Sequence, residues 1–69
     1  MSIQSIVFDK NFFTVKQAIM WIETHRMKLG KINTTDHFIK FRQVEPHNGA
    51  TYRTISIENG VMFVLMYDH

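Results

Sequence analysis

Side chains able to do chemistry are few in this sequence, and they are dispersed. Histidines stand at 25, 37, 47 and 69, at separations that fit no metal-ligand pattern. The carboxylates Asp9, Glu23, Asp36, Glu45, Glu58 and Asp68 are scattered in the same way, so no general acid–base pair is expected. Cysteine is absent, which removes thiol nucleophiles, disulfides and thiolate zinc sites together. No glycine-rich phosphate loop, no G-x-S-x-G and no H-E-x-x-H occurs. We expect no catalytic residue, no cofactor and no metal, and read the chain as a non-enzyme. His69, at the end of the sequence, is expected to fray.

One polar feature does have direction. Phe38, Lys40 and Arg42 alternate and would project to one side of a strand, with Arg53 close by on the next strand. Aromatic and basic groups interleaved on a sheet face can stack bases and neutralise phosphates. These four residues are therefore the candidate nucleic-acid contacts, the alternative being a merely solvated strand face. Arg26, Lys28 and Lys31 form a further basic cluster. Trp21 and His25, four residues apart, are read as packed groups flanking an apolar helical stripe, and Met20 and Met27 as pointing away from it.

The scaffold that must position these groups is small. The chain has 69 residues and 8.2 kDa, 45% of it hydrophobic, with a net charge of +2. That is one domain, 1–69, mildly basic, with a core expected to supply only ~3–5 kcal/mol. The opening MSIQSIVFDK lacks the pattern of a signal peptide, and the longest apolar run, Val61 to Tyr67, is far short of a membrane span. The Asn33-Thr34-Thr35 sequon is read as chance. A cytoplasmic protein is expected.

Ser2 to Phe8 reads as a strand. Thr14-x-x-Gln17 is a capping box opening a helix, with Val15, Ala18, Ile19, Ile22 and Leu29 as its buried stripe and Gly30 as its left-handed stop. Lys31 to Asp36 reads as a polar connection, and His37 to Val44 alternates as a strand. Tyr52 to Ile57 and Val61 to Tyr67 flank Asn59-Gly60, a strong hairpin signal in which both turn residues are expected at positive φ. The expected fold is α+β, a two-layer β-α-β-β-β arrangement with one helix on a mostly antiparallel sheet.

A plain two-residue turn at Asn59-Gly60 would place Ile55 and Ile57 opposite Val64 and Met62, under the helix. Phe63, Leu65 and Tyr67 would then lie on the uncovered face. Such a patch marks an interface, unless loops carrying Phe12 and Phe13 fold over it. Phe63, Leu65 and Tyr67 are thus the candidate self-association residues, for a homo-oligomer or another protein partner.

Ile6-Val7-Phe8-Asp9-Lys10, then Thr14, Ala18, Trp21-Ile22 and His25, form a strand followed by a T-x-x-x-A-x-x-W-[LI]-x-x-H helix. Phe38-Ile39-Lys40-Phe41-Arg42-Gln43, Pro46 and Tyr52-Arg53-Thr54 follow. This succession, spanning about residues 3 to 65, resembles a small domain of phages and large DNA viruses that carries no established activity. Lys40 stands where that domain has Arg, and Ile22 where it usually has Leu. The resemblance implies a viral setting, in host cytoplasm or virion, and a non-catalytic role. The function expected is a small self-associating interaction module, with nucleic-acid binding as the alternative.

Overall fold

The computed structural model describes residues 1–68. The elements are β1 (Ser2–Asp9), α1 (Val15–Thr24), β2 (Ile32–Thr34), β3 (Phe38–Arg42), β4 (Thr51–Glu58) and β5 (Val61–Tyr67). They form one helix and a five-stranded sheet in the order β2-β3-β1-β5-β4, antiparallel at every pairing. The α+β class expected from the sequence is the one observed, with one strand more. That strand is β2, formed within the segment whose composition is that of a polar connection. Ile32, Asn33 and Thr34 pair with Phe41, Lys40 and Ile39, and a tight turn follows in which the Phe38 N–H donates to the Thr35 hydroxyl (3.1 Å).

The start of α1 is as the capping box requires. The Gln17 N–H donates to the Thr14 hydroxyl (3.1 Å), and the Thr14 N–H donates to the Gln17 side-chain oxygen (2.9 Å). Its end is earlier than expected. His25 is the C-cap and Arg26, at φ 57, takes the left-handed position foreseen for Gly30. The Arg26 N–H donates to the Glu23 carbonyl and the Met27 N–H to that of Ile22, the paired bonds of a Schellman stop. This turn directs Met27 back against the core instead of out to solvent, while Leu29 lies beyond the helix and exposed. Gly30 serves close approach instead, since a methyl there would overlap the Arg42 carbonyl oxygen.

Ile6, Phe8, Ala18, Ile22, Ile39, Phe41 and Val61 form the core between helix and sheet. Phe8 stands at its centre, edge-on to Phe13, Trp21 and Phe41 at centroid distances of 5.0, 5.5 and 5.5 Å. Trp21 stacks on His25 at 3.7 Å and donates its ring N–H to Glu58 (2.8 Å), tying the helix to the β4–β5 hairpin. Val15, expected in the buried stripe, is exposed.

The hairpin register differs from the one expected. Glu58 pairs with Val61, but Ser56 then pairs with Met62, so Ile57 is an extra residue and a β-bulge. Gly60 alone of the turn pair has positive φ, at 81°. A slip of one residue turns every side chain to the other face. Ile55 therefore pairs with Phe63 and Arg53 with Leu65, while Met62, Val64 and Met66 share the opposite face with Ser56, Thr54 and Tyr52. The segment after β3 folds across part of that opposite face. The Tyr52 hydroxyl donates to the His47 carbonyl (3.3 Å) and accepts from the His47 N–H (3.2 Å), and the His47 imidazole meets the Asp68 carboxylate at 3.0 Å.

Candidate functional site

The register decides the fate of the expected self-association residues. Phe63 lies opposite Ile6 and Ile55, on the helix side, 6.4 Å from Trp21 between ring centroids. Leu65, two residues on, shares that side and is 7% exposed. Tyr67 is half-buried opposite Thr51. These three do not form an open patch, and the expectation that they lie on the uncovered face is corrected. Its basis was a turn without a bulge, and Ile57 supplies the missing residue.

The four expected nucleic-acid contacts are divided. Phe38, Lys40 and Arg42 do share one face of β3, because the alternating partners Ile39 and Phe41 are buried under the helix. Arg53 does not join them. It sits on β4, which β1 and β5 separate from β3, and it pairs with Leu65 on the helix side. Lys28 and Lys31 take its place. The chain leaving the helix runs back along the end of β3, where the Gln43 amide clasps the Lys28 backbone in both directions. It donates to the Lys28 carbonyl (2.8 Å) and accepts from the Lys28 N–H (2.9 Å). The Arg42 N–H donates to the Lys31 carbonyl (3.0 Å), and Gly30 admits the close backbone contact.

Two adjoining hollows result. One, of about 370 Å³, is lined by Lys28, Lys31, Arg42, Gln43 and Glu45 among others. The second, of about 170 Å³, is lined by Gln4, Lys31, Asn33, Lys40, Arg42 and Pro46. Arg42 meets Glu45 at 3.6 Å, across a carboxylate that is 83% exposed. Gln4 is buried at the bulge in β1, its amide donating to the Val44 carbonyl (3.2 Å) and its oxygen accepting from the Ser5 hydroxyl (2.8 Å). Spacing along the chain marks Lys28 and Lys31 as basic, but their meeting with Lys40 and Arg42 depends on β2 and on the Gln43 clasp.

The other prominent feature is a sheet edge. Its two edge strands are unequal, β2 with three residues and β4 with eight. Every residue of β4 is exposed, including Tyr52, Ile55 and Ile57. On one side β4 pairs with β5, and among the described residues no strand pairs with the other. Its peptide groups on that side form an open ladder.

Among the described residues no three of the histidines and carboxylates come together as a metal site. His69 lies outside the described residues. Among the described residues no helix is long and apolar enough to cross a membrane. Compared with known protein families, curated proteins and solved structures, the chain matches none.

Proposed function

We propose that this domain is a small non-enzymatic interaction module whose partner is a second copy of itself, joined edge to edge along β4. The observation that carries the reading is the open eight-residue ladder, exposed along its whole length. Natural sheets protect such edges with short strands, lysines or prolines. Here β2 is short, whereas β4 has no lysine and no proline, and its bulge at Ile57 lies beside the turn, beyond the 53–56 stretch.

The composition of β4 suits antiparallel self-pairing. Its two charges, Arg53 and Glu58, are of opposite sign and lie on either side of Ile55. A two-fold axis near Ile55 sets Thr54 against Ser56 of the second copy and Ile55 against Ile55. Arg53 of one copy then lies toward Glu58 of the other, and no like charges are opposed. The product is a ten-stranded sheet with both helices on one side. A thin core gives such association added value, since each monomer buries little. The setting is the cytoplasm of a host cell, or a virion, on the strength of the sequence resemblance and the cysteine-free composition.

The test is light scattering on the wild type and on Thr54→Lys with Ser56→Lys. Both positions are exposed and face away from the helix. Any axis between residues 54 and 56 would oppose lysine to lysine. The wild type should show twice the 8.2 kDa chain mass, and the double variant should be a folded monomer. A wild type that is monomeric at ~100 µM, where micromolar affinities are saturated, would overturn the reading.

A further inference from the structure

We propose that the two hollows between the 28–31 segment and the end of β3 hold a chain of phosphate groups. Four cations line them, Lys28, Lys31, Lys40 and Arg42, against the one carboxylate of Glu45. Lys31 and Arg42 line both hollows, so a single elongated anion can run from one to the other. Glu45 is the sole acid within ion-pair distance of any of the four among the described residues.

The site is held from outside. The Gln43–Lys28 clasp, the Arg42–Lys31 backbone bond and the glycine contact fix the 28–31 segment against β3. The lysine stems therefore start from ordered backbone, which reduces what binding must immobilise. Arg42 supplies a planar fork matched to phosphate oxygens, and the lysines supply compact charges on either side. A small carboxylate would be satisfied by Arg42 alone. Cations spread over two hollows suit successive phosphates. Phe38 extends the same row of β3 beyond Lys40 and is 38% exposed, placed to stack a base if the phosphates belong to a nucleic-acid strand. A free oligophosphate shares the phosphate chemistry without the base.

The probes are a fluorescein-labelled oligothymidylate of about 15 nucleotides, within the usual single-strand site range, and inorganic tripolyphosphate as competitor. Four neutralised phosphates give a log–log salt slope of about −2.8, so affinity should fall ~50-fold between about 50 and about 200 mM salt. Lys31→Ala and Lys40→Ala, both at exposed positions, should each reduce the slope by ~0.7. Lys16→Ala, exposed in the first turn of α1 and away from both hollows, should leave affinity and slope unchanged. A loss in Phe38→Ala for the oligonucleotide but not for tripolyphosphate assigns the site to nucleic acid. Displacement by tripolyphosphate at matched phosphate concentration, with no effect of Phe38→Ala, assigns it to free oligophosphates. No binding of either probe at about 50 mM salt, where non-specific phosphate binding is tightest, overturns the proposal. An effect of Lys16→Ala equal to that of Lys31→Ala overturns it as well. Neither result depends on pairing along β4, whose disruption by Thr54→Lys with Ser56→Lys leaves the hollows in place.

Discussion

Replacing Gly60 by alanine tests how the hairpin end is built. Gly60 has φ of 81°, and a Cβ placed there would stand 2.6 Å from the Cβ of Phe12 and 2.9 Å from its Cγ. Left-handed backbone costs a residue with a Cβ ~1–2 kcal/mol. Loss of unfolded-chain freedom returns ~0.4–1 kcal/mol of that. The contact with Phe12 is made by the root of the side chain, which cannot swing away, so the 10–13 turn must shift. Overpacking of this kind costs ~1–3 kcal/mol. The variant should therefore lose ~2–4 kcal/mol, which is most of what a domain this small is expected to have. With a urea slope of ~1 kcal/mol/M, the midpoint should fall by ~2 M or more. A double-mutant cycle separates the two causes. Phe12→Gly removes the obstructing atoms, and in that background Gly60→Ala should cost only the backbone part, ~1 kcal/mol. Equal midpoints for Gly60→Ala and wild type would refute the placement of the turn. A full cost that persists beside Phe12→Gly would refute the contact.

Two further outcomes follow from the fold. Thr14→Ala removes the acceptor for the Gln17 N–H and should cost ~1 kcal/mol, read as a lower Tm in calorimetry, whereas Thr14→Asp should hold the wild-type value. Leu65→Lys places a charge at a position only 7% exposed, and circular dichroism should show an unfolded chain, by contrast with the folded monomer expected of the lysines on β4.

Local signals in this sequence carry far, and they fail where tertiary contacts take over. The start of α1 was legible because a capping box is made by residues three apart. β1 is legible from its β-branched and apolar run, β3 from its alternation, and the site of the hairpin turn from Asn59-Gly60. The helix end was not, because an arginine took the left-handed position that glycine usually holds, while Gly30 was reserved for contact with Arg42. The β2 strand is three residues of weak pattern, ordered by pairing with Phe41, Lys40 and Ile39. Most consequential was the bulge at Ile57, which carries no local signature and moves Phe63 and Leu65 from the expected open face to the helix side. The basic row on β3 was visible from alternation, yet Arg53 lies across the sheet and Lys28 and Lys31 stand in its place. That exchange depends on strand order, which periodicity does not encode. The exposed edge of β4 was hidden for the same reason, since which strands lie outermost is a property of the whole sheet.

Pairing along β4 is tested most directly by hydrogen exchange at its own amides. In a monomer the N–H groups on the open side of β4 face water, whereas in the edge-to-edge dimer they donate to the second copy. Exchange measured residue by residue at about 100 µM and at about 1 µM brackets micromolar association. Alternate amides between Arg53 and Ile57 should exchange markedly more slowly at the higher concentration, with those of β2 unchanged. Equally fast exchange along β4 at both concentrations would contradict pairing at this edge.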